Sequence, residues 1–169
     1  MIRGDKITLR TVKETDLATY YALLADVQNK GAYYPQQFQS YPDFQKGYHN
    51  RGFWHESRGA LVIVDAQDTI LGEVTFRELP HRHALDIGYI VFDPSNRNKG
   101  IATEALTLFA RYLFATRTIQ RLELAIIVGN EASKKVAQRC GFTFEGLSRK
   151  AFYVHGQYVD LENYALVRE

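Results

Sequence analysis

Apolar and polar positions mix across residues 2–10, with Ile7 and Leu9 on one face, and the run reads as a first, half-buried strand of two-residue period. The period then lengthens. Leu17, Tyr20, Tyr21 and Leu24 follow i, i+3, i+4, i+7 spacing, which predicts a helix to about Asp26, with Thr11 and Glu14 as its capping box. Residues 28–41 are polar and aromatic with Gly31 and Pro35 and read as a loop; residues 43–57 read as a second helix, weakened by Gly47 and Gly52. From Ala60 the pattern turns β-branched. Residues 61–64, the turn 65–68 and residues 70–77 predict a hairpin, and residues 84–92 a third strand of this block. Ile101, Ala105, Leu108 and Tyr112 line one face of a long helix that Phe109 and Leu113 widen. Residues 119–128 predict a strand, Asn130 opens a helix that ends at Gly141, and residues 142–153 and 158–167 form two last strands joined around His155 and Gly156.

The order is strand, two helices, three strands, helix, strand, helix, two strands. No repeat or low-complexity linker interrupts it, so residues 1–169 are expected to form a single α+β domain with a mixed sheet. Strand and helix alternate between residues 84 and 141, which implies one parallel crossover in the middle. Nineteen acidic against twenty-one basic side chains give a formal charge of +2, too balanced to argue for nucleic acid or an anionic membrane as partner. No apolar run approaches the roughly 20 residues that span a bilayer. The single cysteine, Cys140, excludes an internal disulfide and reads as a small buried residue. With no signal-peptide core at the start, a cytoplasmic location is expected. His49, His55, His81, His83 and His155 show no paired metal spacing, and the segment 81–83 reads as a loop between strands.

Chemistry concentrates after the third strand of the central block. Asp93-Pro94 ends that strand, and Arg97-Asn98-Lys99-Gly100-Ile101-Ala102 opens the long helix. A basic, glycine-containing turn at a helix start offers unpaired backbone N–H groups at the positive end of the dipole, which is a place for phosphate or pyrophosphate. No Gly-Lys-Ser/Thr run comes after it, which disfavours a P-loop. The loop alone is a weak signal. A strand later comes Asn130, with Ser133 and Val136 at three-residue steps, then Cys140-Gly141-Phe142 and Glu145-Gly146. Read alone, Asn130 and Ser133 are equally a helix cap and a small packing residue, and Asp86 a surface residue.

Taken together, these motifs resemble the GNAT superfamily of N-acetyltransferases, most closely its ribosomal-protein (RimJ/RimL-like) branch. Leu9-Arg10 and Gly156-x-Tyr158-x-Asp160 look like further branch features. The resemblance implies a mixed, mostly antiparallel twisted sheet of about seven strands, with one splayed parallel pair at its centre and about four helices. It implies acetyl-CoA as cosubstrate and no metal. Backbone groups of Ile90, Val91 and Phe92 would pair with the pantetheine arm, and the N–H groups of Asn98, Lys99, Gly100, Ile101 and Ala102, with Thr103, would hold the pyrophosphate. Arg97 and Lys99 would supply counter-charge, Asn130 would bond the pantetheine, and Lys135 would meet a CoA phosphate.

The implied reaction is direct attack of a primary amine on the thioester. The Val91 N–H would polarise the carbonyl, Ser133 would protonate the departing sulfur, and Asp86 or Glu73 would act as base, directly or through water. Asp86 stands where the branch commonly carries Glu. The acceptor would be a protein N-terminal α-amino group or a small-molecule amine such as an antibiotic, peptide or polyamine. The cluster Tyr33, Tyr34, Phe38, Tyr41, Phe44, Tyr48, Phe53 and Trp54 is either packing or the wall of the acceptor pocket, to which Tyr34, Trp54, Tyr89 and Tyr153 are assigned. A non-catalytic acyl-CoA-binding or sensory module is the alternative, and the last two strands leave an edge on which a homodimer is possible.

Overall fold

The computed structural model describes residues 1–80 and 83–168. The expected loop at 81–83 therefore falls largely outside it, since His81 and Arg82 lie outside the described residues. The first strand is a hairpin instead of one run: β1 (Ile2–Arg3) pairs antiparallel with β2 (Thr8–Arg10), closed by the Gly4 N–H on the Ile7 carbonyl at 2.8 Å. The next cap is Asp16, not Glu14. It accepts the Lys13 N–H at 2.7 Å, at the end of a 3-10 turn that leads into α1 (Leu17–Ala25). The expected loop at 28–41 contains a single helical turn, α2 (Val27–Lys30), capped by Asp26. Helix α3 (Tyr41–Arg51) starts earlier than periodicity predicts because Ser40 accepts the Asp43 N–H, and it stops at Gly52, whose φ of 59° is left-handed.

The central elements match the pattern: β3 (Arg58–Val64), β4 (Ile70–Leu79), β5 (Ala84–Val91), α4 (Ile101–Thr116), β6 (Arg121–Ile127), α5 (Glu131–Arg139), β7 (Thr143–Val154) and β8 (Gln157–Val167). The strands form one eight-stranded sheet in the order β1-β2-β3-β4-β5-β6-β8-β7. Only β5 and β6 run parallel. Their register covers Ala84–Arg121, Leu85–Leu122 and Asp86–Glu123, and stops there. Beyond it β6 keeps its antiparallel ladder with β8 as far as Ile127, and β5 keeps its ladder with β4 as far as Val91. The two central strands therefore diverge while each stays bound on its outer side.

Each face of the sheet has its own core. Leu106, Phe109 and Leu113 of α4 lie fully buried against Val74, Phe76, Leu85 and Leu122, each such side chain contributing roughly 1.5–3 kcal/mol. On the opposite face Tyr20 and Phe44 cover Val62, Ile90 and Phe92. Registered partners share a face, so this second face carries three successive rungs. Val62, Glu73 and Ile90 form the first, Ala60, Thr75 and Gly88 the second, and Arg58, Arg77, Asp86 and Glu123 the third. Helices α1 and α3 cover only the first rung. The rest faces an opening.

Candidate active site

The divergence of β5 from β6 opens a cleft of about 1710 Å³, lined by both strands, the starts of α4 and α5, and the segment around Tyr34. Its floor is low where the second rung supplies Thr75 and Gly88 and β6 supplies exposed Ala125. The ladder decides which backbone groups face it. Phe92 donates its N–H to the Leu71 carbonyl (3.0 Å), so Ile90 and Gly88 occupy the other hydrogen-bonded positions on β5. Tyr89 and Val91 fall between them and direct their N–H groups away from β4, across the opening. Of the three residues expected to pair with pantetheine, only Val91 is therefore free to do so. Ile90 faces β4, and Phe92 is buried with its N–H on Leu71 and its carbonyl on Arg97. Gly72 permits the tight β4–β5 approach: a Cβ there would stand 2.1 Å from the Ile90 carbonyl oxygen.

At the wide end sits the loop before α4. Gly100 takes φ 83°, a left-handed conformation, and caps the helix with no side chain, leaving the first amides, Ile101, Ala102 and Thr103, without intrahelical partners. Gly100, Asn98 and these three residues line the cleft. The loop is braced from behind by the β1–β2 turn: Lys6 Nζ donates to the Lys99 carbonyl (3.1 Å) and the Lys6 N–H to Glu104 Oε1 (3.0 Å). The expected counter-charges have partners within the protein, although Arg97 lines the cleft. The Arg97 guanidinium bonds the carbonyls of Val91 (3.1 Å), Phe92 (3.2 Å) and Asn29 (2.7 Å), pinning the end of β5 to α2. Lys99 Nζ rests on Asn96 Oδ1 at 3.3 Å, away from the cleft wall. Lys135 and Arg139 on α5 line the cleft. Cys140 is half-buried, its thiol on the Thr103 carbonyl at 3.4 Å.

In the throat, Asn130 caps α5: its Oδ1 accepts the Ser133 N–H at 3.1 Å. The Ser133 hydroxyl is 2.7 Å from the Tyr89 hydroxyl. Tyr89, assigned from sequence to the acceptor, is thus joined to Ser133. Burial pushes the Tyr89 phenol up to about 12, with the Ser133 hydrogen bond opposing, so Tyr89 holds its proton at neutral pH.

The two candidate bases differ in access. Asp86 lines the cleft and pairs with Arg77 (2.8 Å). Burial raises its carboxyl, Arg77 opposes this, and Glu123 adds to it. Glu73 is buried behind Tyr34, accepting the Tyr34 hydroxyl at 3.2 Å and the Tyr20 hydroxyl on its other oxygen. Its carboxyl is raised by burial, and the two tyrosines counter this only in part. Glu73 therefore has no surface on the cleft. Tyr20, read from sequence only as a helix-face residue, is the group that periodicity could not reveal as its partner. Trp54 lies at the outer margin, edge-on to Phe76 at 5.1 Å and tilted to Tyr112 at 6.1 Å. The expectation for Tyr153 is corrected: it is 59% exposed, meets Tyr158 edge-on and does not line the cleft, whereas its neighbour Phe152, on the opposite face, does. Among the described residues no group of three or more His, Cys, Asp or Glu is placed to hold a metal, and no helix is long and apolar enough to cross a membrane.

A parallel pair that parts over a phosphate-type loop is matched in sequence by a family model described as an acetyltransferase (GNAT) domain, over residues 6–143. The chain belongs to the GNAT acetyltransferases. Among relatives of this acetyltransferase, the ribosomal-protein-serine acetyltransferase of Escherichia coli is 25% identical over 97% of this chain and 94% of its own length. The spermidine N-acetyltransferase of Vibrio cholerae, solved with CoA and spermine, superposes with a TM-score of 0.84 at 22% identity, covering 97% of this chain and 96% of that one. The microcin C7 self-immunity acetyltransferase, solved with acetyl-CoA and AMP, gives 0.79 at 27% identity over 98% and 94%. Acetyl-CoA is accordingly the cosubstrate of this acetyltransferase, and the unpartnered amides of residues 101–103 beside Gly100 fit its pyrophosphate.

Proposed function

We propose that this GNAT acetyltransferase moves the acetyl group from acetyl-CoA to a primary amine by direct attack, with Ser133 and Tyr89 as the acid side of the site and Asp86 as the base side. The observation that carries this reading is the Ser133–Tyr89 hydroxyl pair, 2.7 Å apart, in the throat where β5 and β6 part. The residues divide the work by position. Val91 N–H, directed across the cleft, hydrogen-bonds the thioester oxygen as charge develops on it. Asp86 lies on the acceptor side, five residues or roughly 16 Å along β5 from Val91, and takes a proton from the incoming amine through bridging water. As the new C–N bond forms and the C–S bond breaks, Ser133 hands its proton to the sulfur and is replenished through Tyr89 and solvent. The products are an N-acetyl amide and free CoA. Asn130 keeps its Nδ2 for the pantetheine while its Oδ1 holds the helix start. Lys135 and Arg139 face the CoA phosphates.

Glu73 supports Tyr34 from within, and Tyr34 forms part of the acceptor wall with Trp54 at its margin. The relatives' names span a polyamine, a ribosomal protein and a nucleotide-bound complex, so membership leaves the acceptor open. The test is acetyl transfer to a mixed pool of peptides and small amines, read as free CoA and as the mass of the product. Ser133→Ala should lower kcat by roughly 10²-fold or more while acetyl-CoA affinity stays near normal. Tight CoA binding with no turnover on any amine would favour a non-catalytic acyl-CoA-binding module instead.

A further inference from the structure

The charges of the acceptor side narrow the amine. Asp86 is the carboxylate among the described residues lining the cleft, and Arg77 already pairs with it. Next to them on the same rung, Arg58 projects from the start of β3, exposed, its guanidinium making no hydrogen bond or ion pair to a described residue. Arg51, at the last turn of α3, lines the same side, exposed, and its guanidinium is equally unpaired among the described residues. The acids behind the floor are engaged internally: Glu145 pairs with Arg121, Arg121 Nε is 2.9 Å from Glu123, and Glu73 is sealed by two tyrosines. An acceptor entering along the Thr75–Gly88–Ala125 floor therefore meets one carboxylate, on β5, and free guanidinium charge on the β3 side.

We propose that the acceptor is a primary amine that carries an anionic group, a carboxylate or a phosphate, with the amine passing Asp86 toward the thioester and the anion held on Arg58, assisted by Arg51. This rests on the N-acetyltransferase reading above. Register and strand spacing give the scale. Arg58 and Asp86 sit on one rung, two strand spacings of about 4.8 Å apart, and the amine must reach onward along β5 toward Val91, so the amine and the anion are separated by roughly 10 Å. The Arg fork suits either a carboxylate or a phosphate, bidentately. A polyamine would instead place extra cations beside free arginines, and repulsion there disfavours it.

The test compares matched acceptors at fixed acetyl-CoA, by release of free CoA. The probes are an ω-amino acid whose amine and carboxylate lie roughly 10 Å apart, its neutral amide, an aminoalkyl phosphate of matched length, and spermidine. The anionic amines should exceed the neutral amide by roughly 10-fold or more in kcat/KM, the size of a charge-assisted hydrogen bond. The carboxylate and phosphate arms identify which anion the site takes. Arg58→Gln should remove most of that preference and leave the acetyl-CoA KM unchanged, which also shows that the variant is folded. Arg51→Gln should give a smaller effect in the same direction. Neutral amide or spermidine acetylated as well as the anionic amines would overturn the proposal and leave N-acetyl transfer standing. The same preference surviving in Arg58→Gln and Arg51→Gln would also overturn it. No turnover on any probe, with acetyl-CoA bound, overturns both readings together.

Discussion

Replacing Tyr89 with Phe removes one oxygen atom and keeps the ring that helps form the wall of the cleft. In the folded protein that oxygen is 2.7 Å from Ser133 Oγ and 3.4 Å from the Ser133 carbonyl. Between two neutral hydroxyls the bond contributes roughly 0.5–1.5 kcal/mol. When negative charge gathers on the departing sulfur, the Ser133 hydroxyl becomes donor to an anion, and the support it draws from Tyr89 roughly doubles. The resulting loss, on the order of 1.5–3 kcal/mol at the transition state, corresponds to a fall in kcat of about 10- to 150-fold. The KM for acetyl-CoA should change little, because the loop at Gly100 is untouched. Steady-state kinetics of Tyr89→Phe, Ser133→Ala and the double variant check the pairing directly. If the two hydroxyls act as a unit, the double variant is scarcely slower than Ser133→Ala alone. Fully additive losses, or a Tyr89→Phe kcat within twofold of the parent, would refute the coupling.

Other consequences concern stability and binding. Arg10 is 4% exposed and holds Asp16 and Asp68, each at 2.6 Å, so Arg10→Ala should cost about 3–5 kcal/mol in urea unfolding by leaving Asp16 half-sealed without its partner. Glu73 titrates higher when folded, by burial, so its folded form holds a proton over a window above about pH 4 in which the unfolded carboxyl has lost it; stability falls as pH rises through that window. Glu73→Gln should therefore flatten the fall of the urea midpoint as pH rises above about 4, and an unchanged slope would remove Glu73 as its source. Gly100→Val puts a β-branched residue at φ 83° and should raise the acetyl-CoA KM by roughly 10-fold or more while acceptor KM holds, as seen by varying each substrate in turn. Tyr153→Ser, at an exposed position outside the cleft, should leave both KM values within about twofold.

Much of the architecture was legible because two periods suffice for it. The apolar stripe from Ile101 to Leu113 specified α4, and the β-branched runs specified the central strands. Glycine at 141 marked a helix end. What misled was local polar chemistry that periodicity does not see. A run at residues 2–10 reads as one strand, yet Gly4 and Ile7 close a hairpin within it. Ser40 capping Asp43 moved α3 two residues earlier than its apolar positions suggested. Tyr153 is assigned to the acceptor by resemblance alone, and alternation along β7 puts Phe152 on the cleft face and Tyr153 on the opposite one.

The candidate site shows a different limit. Sequence motifs name residue types, whereas function depends on which of their polar groups the fold leaves unsatisfied. Arg97 belongs to the phosphate-loop pattern, and its guanidinium nevertheless closes three backbone carbonyls. Asn130 is both a cap and a candidate ligand, because its Oδ1 holds the Ser133 N–H while its Nδ2 remains. Glu73, a candidate base by spacing, is held by two tyrosines, whereas Asp86 reaches the cleft. Arg51 and Arg58, whose guanidinium groups have no partner among the described residues, sit in no motif. Recognition of CoA uses backbone geometry that a motif can encode in a glycine and a few neighbours. In the proposed reading, the acceptor is recognised by Arg58 and Asp86, brought onto one rung by register across β3, β4 and β5, with Arg51 added from α3. The donor is therefore readable one-dimensionally in this fold, whereas the proposed acceptor contacts come into view only once the strands are paired.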